Sequence, residues 1–408
     1  MNQFFEAVRV AFSSVWTNKL RSLMMVLGNI VAVTSIIAVV SLIRGMDSYV
    51  ASAIIGEVGA GTFRVERVGF ITDEEEEERA RRRNPLVTLN DMRAIDSFSE
   101  RIDSVMAESG AGATISFGET VLENTRVRGV SPDYAEFSGY TPALGRIPSR
   151  QEVERSHPVV LLGSDTADNL FKGRNPVDQV IRIRNMHFRV VGVADKKGSV
   201  FGESQDEFAV IPLGAFNKLF GSRRSLDLTV KPVDPAELTG AMEDARTALR
   251  IKRHLRPKDD DNFGLLTSET LIDFWRNFSR GIFAVLLGVV SLSLVVGGIV
   301  IMNIMLMVVN ERTREIGLRK ALGARRRDIV WQILTESMTL SIIGGLVGTA
   351  LGFSVAFAVE SFTPLPAAIE TWSVALGIGM TATVGLFFGL YPAMRAASLD
   401  PIEALRRE

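Results

Sequence analysis

Four long stretches without a charged residue constrain the fold of this chain most strongly. They are Ser22–Ile43, Gly281–Asn310, Ser337–Val359 and Thr371–Met394, and none of them contains Asp, Glu, Lys or Arg. Each is longer than the roughly 18 to 20 residues that a helix needs to cross the hydrocarbon core of a bilayer. A buried helix of a soluble protein rarely stays uncharged for so long. The sequence therefore predicts an α-helical membrane protein with four transmembrane helices.

The first stretch follows a short basic N-terminus, as the apolar region of a cleaved signal peptide also does. Its apolar run is too long for that region, and no convincing small-x-small cleavage site follows it. We therefore interpret it as an uncleaved anchor.

The orientation of the four spans follows from the basic residues beside them. These residues fall into three groups: Arg9, Lys19 and Arg21; Arg312, Arg314, Arg319, Lys320, Arg325, Arg326 and Arg327; and Arg395, Arg406 and Arg407. The loop 360–370 has no basic residue. Both termini and the segment 311–336 are thus predicted to be cytoplasmic, and the loop 360–370 and the large segment 45–280 to lie outside.

These features divide the chain into nine predicted segments. They are an amphipathic interfacial helix (1–18), transmembrane helix 1 (19–44), a large extracytoplasmic α+β domain inserted between helices 1 and 2 (45–270), a stalk with transmembrane helix 2 (271–310), a cytoplasmic helix and loop (311–336), transmembrane helix 3 (337–359), a short outer loop (360–370), transmembrane helix 4 (371–394) and a cytoplasmic C-terminal tail (395–408). Residues 1–18 carry apolar side chains at helical spacing. A simple extension of the first span is the alternative for them.

The outer segment mixes strand and helix patterns. Strands are predicted at Thr62–Val68, 157–163, 208–213 and 226–230, and a hairpin is predicted from Val180–Arg184 and His187–Val193. Helices are predicted at Asn90–Phe98, Ser164–Phe171 and Pro235–Ile251. We expect two lobes, with a boundary near residue 131 and a return of the chain near 207–230. The chain has no cysteine, so the core of this domain must form without disulfides.

A run of charged residues, "DEEEEERARRR", covers residues 73–83. Three Glu-before-Arg pairs at i,i+4 spacing would each stabilise an exposed helix by about 0.3 kcal/mol; they are Glu75–Arg79, Glu77–Arg81 and Glu78–Arg82. A solvated helix or mobile loop and a docking surface for a partner or substrate are both open interpretations.

Glycines recur every four residues in the third and fourth spans. They are Gly344, Gly348 and Gly352 in the third span and Gly385 and Gly389 in the fourth. Small residues on one helix face let two helices approach closely. The partner helix lies either in the same chain or in a second copy of it, and the spacing alone does not decide between them.

Asn303 is the most polar residue deep in the second span. A proton- or ion-coupled transporter usually needs charged groups near the bilayer midplane, and the four spans have none. We interpret the Asn303 amide as the donor or acceptor of an interhelical hydrogen bond, with a transport site as the alternative.

No catalytic or metal site is predicted. The patterns GxxxxGK[ST], HExxH and GxSxG do not occur, and the three histidines have no partner at metal-ligand spacing. The net charge of −1 averages basic edges against a mixed outer domain and identifies no partner; no nucleic-acid partner is expected. We do not expect this chain to be an enzyme.

The segment from Asn310 to Ile329, "NERTREIGLRKALGARRRDI", combines basic residues with apolar ones at helical spacing. Ile316, Leu318 and Leu322 would offer apolar anchors to a soluble partner, and Gly323 suits a helix stop. The alternative is a basic loop that only fixes the topology. A few scattered Lys or Arg would suffice for that, so we favour docking.

Two regions carry a family resemblance. "ERTREIGLRKALGA" and the C-terminal "FGLYPAMRAASLDPIEALRRE" resemble the FtsX-like permease domain of MacB-type ABC transporters. "RGVSPDYAEFSGYTPALGR", "VVLLGSDTADNLF" and "NPVDQVIRIRNMHFRVVGV" resemble the MacB-type periplasmic core domain. The resemblance covers nearly the whole chain.

The resemblance implies a permease of the bacterial cytoplasmic (inner) membrane that pairs as a homodimer or with a related permease. It implies an ABC ATPase subunit on the cytoplasmic face, which would bind the ATP and Mg, so that this chain itself holds no cofactor. Because the chain begins at the interfacial helix, we expect the ATPase to be a separate polypeptide. The family's coupling helix, which docks on the ATPase, matches Glu311, Arg312, Arg314, Glu315, Ile316, Gly317, Leu318, Arg319, Lys320, Ala321, Leu322, Gly323 and Ala324.

The implied function is mechanotransmission, in which ATP hydrolysis moves the outer domain without passage of substrate between the spans. It serves either export, with a periplasmic adaptor and an outer-membrane channel as optional partners, or signal transmission to an extracellular enzyme such as a cell-wall hydrolase. The full-sized outer domain favours export.

Overall fold

The computed structural model of the protein describes residues 19–406 except 60, 201–202, 364–365, 367 and 369. The predicted interfacial helix at 1–18 lies outside the described residues. The chain divides into two compact units: a membrane unit, Met1–Tyr49 with Arg276–Glu408, and an outer unit, Val50–Trp275.

Thirteen α-helices are present in the described part of the chain. In order they are α1 Lys19–Val58, α2 Glu74–Arg83, α3 Leu89–Asp96, α4 Tyr134–Phe137, α5 Arg150–Glu154, α6 Ser164–Phe171, α7 Leu213–Phe220, α8 Leu238–Lys252, α9 Ser268–Glu311, α10 Thr313–Ala321, α11 Arg326–Phe362, α12 Thr371–Ser398 and α13 Pro401–Arg406. A 3₁₀ turn, Pro235–Glu237, precedes α8.

Twelve strands occur in the same residues. They are β1 Phe63–Glu66, β2 Ile102–Phe117, β3 Thr120–Val130, β4 Pro142–Gly145, β5 Val159–Leu162, β6 Val180–Ile183, β7 Met186–Ala194, β8 Ser199–Val200, β9 Glu203–Ser204, β10 Phe208–Pro212, β11 Asp227–Pro232 and β12 Gly264–Thr267.

Four helices are long and apolar enough to cross a membrane: α1, α9, α11 and α12. Each contains one of the four uncharged stretches, which confirms the predicted fold class. The helices run further than the predicted spans, since α1 continues to Val58 and α11 begins at Arg326. Charged residues are compatible with helix outside the hydrocarbon core, and Asp328 accepts a hydrogen bond from the Arg325 backbone N–H at 3.0 Å to cap the start of α11.

The outer unit is built on one ten-stranded sheet with the order β12-β1-β11-β2-β3-β10-β5-β7-β4, and β6 pairs with β2 and β7. Most neighbours are antiparallel, but β10 runs parallel to β3, and β5 to β7. One buried cluster extends across the sheet and includes Phe63 and Phe188. The strands on either side of residue 131 share this sheet and this cluster, so the two expected lobes do not have separate sheets.

The predicted hairpin is present, with Ile183 opposite Met186 and the intervening Arg184 at φ +52°. The predicted strands at 157–163, 208–213 and 226–230 correspond to β5, β10 and β11. The two longest strands, β2 and β3, were not predicted.

Candidate functional site

Helix α10 lies in the segment predicted to couple to a partner, and α9 and α11 flank it in the chain. It ends at Ala321, and Gly323, two residues beyond, has a φ of +99°. The Gly323 N–H donates to the Lys320 carbonyl and the Ala324 N–H donates to the Arg319 carbonyl, both at 3.1 Å. This pair of bonds is a Schellman motif, which uses a glycine in the left-handed region to end a helix. The predicted helix stop is therefore present.

The inner face of α10 is part of the core of the membrane unit. Thr313, Ile316 and Gly317 are buried. The Ile316 side chain, only 5% exposed, belongs to a cluster with buried residues from α1, α9, α11 and α12. Ile316 was predicted to be an anchor for a soluble partner, and this is wrong because the membrane unit itself buries it. Ile316 therefore places the inner face of α10 in the same buried cluster as residues of all four spans.

Helix α13 packs on the same inner face. A Cβ added at Gly317 would lie 2.6 Å from the Ala404 Cβ, so only glycine permits this contact. The Lys320 ammonium donates to the carbonyl oxygens of Ala397, at 2.7 Å, and Leu399, at the C-terminal end of α12. A cation is favoured there because the last carbonyls of a helix lack partners and carry partial negative charge. Burial lowers the pKa of Lys320, and the charge of Arg326 lowers it further.

Polar contacts tie α10 to α11. Arg319 donates to the Gln332 side chain at 3.1 Å and pairs with Glu315 at 2.5 Å. Arg312, just before α10, lies 3.5 Å from Glu336. These side chains were predicted to face a partner, and the structure shows that Arg319 and Arg312 also brace the segment internally.

The outer face of α10 is apolar and basic. Leu318 is 52% exposed, and Leu322, one turn later, is 81% exposed. The side chain of Arg314 is exposed and forms no ion pair within the part of the chain that the structure describes. The exposed basic run Arg325–Arg327 follows. Of the remaining predicted residues, Glu311 and Ala321 are exposed and Ala324 is partly buried.

The five predicted packing glycines lie at contacts inside the chain. Added Cβ atoms at Gly344, Gly348 and Gly352 would lie 2.2 Å from Val26 Cγ1, 2.8 Å from the Ile30 oxygen and 2.8 Å from Ile37 Cβ, all on α1. Those at Gly385 and Gly389 would meet the Ser341 and Ser337 hydroxyls of α11, at 2.5 and 2.1 Å. These glycine faces are therefore filled by helices of the same chain.

Sequence reasoning treated residues 395–408 as a tail and so missed α13 and the Lys320 contacts. A signal was present in "LDPIEAL": Pro401 suits the first turn of a helix, and Asp400 accepts a hydrogen bond from the Ile402 N–H at 2.8 Å. Asp before Pro is thus a helix start that was overlooked.

The charge run forms helix α2, and the three predicted ion pairs are present at 2.7, 2.7 and 2.9 Å. Glu77 and Arg81 also line a cavity of roughly 790 Å³ in the outer unit, together with Arg223, Arg224 and Asp227. Burial, with the charges of Glu66 and Glu108, raises the pKa of Asp227 to about 6.

Within the described residues, no group of three or more His, Cys, Asp or Glu side chains could hold a metal ion.

Comparison with known proteins identifies two family regions. The MacB-like periplasmic core domain matches residues 22–248, and the FtsX-like permease C-terminal family matches residues 287–401. Four apolar helices with a periplasmic-type domain between the first and second make this a membrane protein with an extracytoplasmic domain.

Curated relatives match the chain along its length. A protein of Bdellovibrio bacteriovorus named "Macrolide export ATP-binding/permease protein MacB" is 33% identical over 415 residues, 100% of this chain and 62% of that protein. A protein of the same name from Chlorobaculum tepidum is 35% identical and covers 98% of this chain and 61% of that protein. The chain thus spans about 60% of the length of these relatives. Among solved structures, the periplasmic region of MacB from Actinobacillus actinomycetemcomitans matches 55% of this chain and 96% of its own, with 20% identity and a TM-score of 0.45.

Proposed function

Because the chain belongs to the family of MacB-type ABC transporter permeases, we propose that it couples ATP hydrolysis by an ABC ATPase subunit to movement of its outer unit and thereby exports a substrate. The ATPase would bind ATP and Mg on the cytoplasmic side of the cytoplasmic membrane, where both termini of this chain also lie. The permease acts as a pair of chains, each with one ATPase.

The two faces of α10 carry this proposal. On its inner face, Ile316 lies in one buried cluster with residues of all four spans, and Gly317 contacts α13. Its outer face presents Leu318 and Leu322, one turn apart, beside Arg314. Removing the apolar surface of these two leucines from water by docking of a partner is favourable. A helix with one face packed in the membrane unit and an exposed apolar face is suited to transmit the motion of a docked protein.

The route of transmission is carried by the long helices. Residues of both α1 and α9 belong partly to the membrane unit and partly to the outer unit. The spans contain no charged residue that would line a polar path. Mechanical coupling needs no such path, since the substrate is handled by the outer unit.

The curated relatives carry macrolide export in their names, and a hydrophobic drug, peptide or lipid is the substrate class that we propose. The cavity of roughly 790 Å³ in the outer unit is lined by apolar and charged side chains and is large enough for a compound of that kind. A periplasmic adaptor and an outer-membrane channel would complete the route in a cell with two membranes.

Efflux in cells tests the proposal. A strain that lacks this chain should accumulate a macrolide antibiotic, and the wild-type chain should restore efflux. The double variant Leu318→Glu, Leu322→Glu should reach the membrane in normal amounts without restoring efflux. A deletion strain that effluxes normally but fails in cell separation would reject export and support signal transmission to a cell-wall hydrolase.

A further inference from the structure

The sheet of the outer unit is apolar on one face and carries charged side chains on the other. On the apolar face, Phe63 and Val65 of β1 belong to the buried cluster over the sheet. Because side chains alternate along a strand, Arg64 of β1 points to the opposite face. Arg64 lies opposite Thr229 on β11, and Thr229 lies opposite Met106 on β2, so these side chains share a face. The second face therefore extends over three neighbouring strands.

Three charged side chains meet on this second face. Arg64 is joined there by Glu108, two residues after Met106 on β2, and by Arg128 on β3, which pairs with Gly110 of β2. Guanidinium nitrogens of Arg64 and Arg128 lie 3.4 and 3.7 Å from the two carboxylate oxygens of Glu108. Charge-assisted bonds of this kind are usually about 2.7–2.9 Å long. The Arg64, Glu108 and Arg128 side chains are 13%, 12% and 21% exposed, so two largely buried cations share one carboxylate.

These three charged side chains line a cavity of roughly 280 Å³. Helix α4 and the loop after it add the aromatic rings of Tyr134, Phe137 and Tyr140, and the end of β11 adds apolar surface at Pro232 and Val233. The cavity shares no lining residue with the cavity of roughly 790 Å³. Since ligand pockets usually have about 300–1,000 Å³, this one suits a small compound or one end of a larger one.

The smaller cavity has an excess of positive charge. Its charged lining residues are Arg64, Arg128, Lys231, Glu108 and Glu136. Glu136 is exposed, and Lys231, whose side chain is 45% exposed, pairs with Asp103 at 3.1 Å. The less exposed part of the lining is therefore two guanidinium groups around one carboxylate, while Glu66 and Asp227 line the larger cavity. A buried cation is stabilised by a partner of opposite charge, and the planar guanidinium group matches carboxylate and phosphate oxygens.

Tyr134 adds a hydrogen-bonding group to this cavity. The residue is 4% exposed, and its hydroxyl forms no hydrogen bond within the part of the chain that the structure describes. The hydroxyl of the neighbouring Ser138 is engaged with the carbonyl and the N–H of Tyr140, both at 3.3 Å. Burial raises the pKa of Tyr134, and smaller effects come from the charges of Arg128 and Glu108, so its hydroxyl lies near the ion pairs. A buried hydroxyl without a partner is unfavourable, and a ligand oxygen beside the arginines would accept its hydrogen bond.

We propose that this smaller cavity binds an oxyanion, a carboxylate or a phosphate, carried on a small apolar body. Arg64 and Arg128 hold the charge, and the Tyr134 hydroxyl donates a hydrogen bond to one of the oxygens. The aromatic rings of the lining contact the apolar body, and Glu108 keeps the two guanidinium groups in place when the ligand is absent. This site goes beyond the proposed export of a hydrophobic compound, and its binding test does not depend on efflux.

Binding of three fluorinated probes to the full chain in nanodiscs, followed by fluorine NMR, tests the site. The probes are N-acetyl-4-fluorophenylalanine, its uncharged amide and 4-fluorophenyl phosphate. We expect the carboxylate to bind about tenfold or more tightly than the amide, because only the carboxylate pairs with the arginines. Tight binding of the phosphate alone would support the site and assign it to phosphate ligands. Equal affinities for the amide and both anions, or no binding of any probe, would overturn the proposal.

Two variants with a matched control locate the bound anion. Arg128→Gln should lower its affinity about tenfold or more, whereas Arg126→Gln, at an exposed position on the same strand and outside the lining, should change it less than about twofold. Equal losses for the two would mean that general charge attracts the anion and would overturn the proposal.

Tyr134→Phe removes a single hydroxyl. It should lower the affinity about three- to tenfold without lowering the melting temperature of the ligand-free chain, since this hydroxyl has no partner within the described residues. A lower melting temperature with unchanged affinity would show that the hydroxyl serves the fold and would reject its role in binding.

Discussion

The membrane unit and the outer unit of this chain are stabilised internally by different kinds of packing. In the membrane unit, helices touch through glycines, as where a Cβ added at Gly28 would lie 2.7 Å from the Gly297 Cα. In the outer unit, the largest fully buried side chains are Phe63, Phe188 and Phe216, which lie in one cluster over the sheet. The membrane unit thus depends on small residues at its helix contacts, whereas the outer unit depends on large side chains in its core.

The difference follows from the solvent that each unit displaces. Burial of large apolar side chains is favourable where the alternative is water. Between helices in a bilayer that driving force is absent, because lipid tails are as apolar as leucine, and close packing decides instead. The membrane unit should therefore be sensitive to added volume and the outer unit to removed volume.

Removing volume from the outer core should have the largest effect. Phe188→Ala, a fully buried position on β7, is expected to destabilise the outer unit by about 3–5 kcal/mol, from lost burial plus a cavity. Hydrogen exchange of β6 and β7 in the full chain measures this. Val121→Ala, at an exposed position on β3, is the control and should change little. A cost near that of the control would contradict the proposed source of outer-unit stability.

Adding volume to the membrane unit should cost about 1–3 kcal/mol per methyl group at a glycine contact. In Gly348→Ala the new Cβ would lie 2.8 Å from the Ile30 carbonyl oxygen and 2.9 Å from Val33 Cβ, so α1 and α11 must separate. Thermal unfolding in nanodiscs reports the loss. Gly379→Ala on α12 is the matched control, since nothing lies within 4 Å of its added Cβ. Equal melting temperatures for the two variants would show that the membrane unit is not sensitive to added volume at its glycine contacts.

The contrast between the membrane unit and the outer unit also explains which features can be predicted from the sequence. Uncharged runs and glycine spacing are local patterns, so the four spans and the five packing glycines could be located without a structure. The hairpin was predictable because its arms alternate. Strand β2 was not, since "SVMAESGAGATISF" is rich in small residues and lacks regular alternation, and its burial is set by β3 and β11 on either side. Ile316 was assigned to the wrong side because spacing shows that a residue is apolar but not which neighbour buries it.

The partly buried carboxyl of Asp227 on β11 should give the outer unit a pH dependence that the uncharged spans lack. The pKa of Asp227 is raised to about 6, by burial first and by Glu66 and Glu108 second. Between about pH 4 and 6 the folded state keeps more of the proton on Asp227 than the unfolded chain does, so the contribution of Asp227 to stability falls as the pH rises through this window and does not change above it. Asp227→Asn should remove this slope and melt at a higher temperature than the wild type at pH 7.

Glu152 supplies the control of opposite sign. Arg146, which donates two hydrogen bonds of 2.7 Å to it, lowers its pKa to about 2. Its contribution to stability is present above about pH 4.5 and is lost as the pH falls toward 2. Thermal melts of Glu152→Gln and Asp227→Asn across pH 3–8 should therefore diverge in opposite directions. Parallel melting curves would rule out both assignments.

The smallest effect is expected at the ion pairs of α2. The Glu75 and Arg79 side chains are 80% and 77% exposed, although their atoms lie 2.7 Å apart. Exposed i,i+4 pairs contribute about 0.3–0.5 kcal/mol and weaken with salt. A double-mutant cycle with alanine at both positions should give a coupling energy in that range at low ionic strength. A coupling above about 1 kcal/mol would mean that α2 is braced by more than solvated pairs.

The most direct test of the central claim is whether the outer face of α10 receives the ATPase. Leu322→Glu places a charge at a side chain that is 81% exposed, so the fold should be unchanged, while Leu144→Glu makes the same change at a 50% exposed position in the outer unit. ATP hydrolysis and ATPase retention are measured for the complex purified in nanodiscs. We predict that Leu322→Glu lowers both roughly tenfold or more, as loss of an interface anchor does, and that Leu144→Glu matches the wild type. Full retention and hydrolysis with Leu322→Glu would contradict docking at α10.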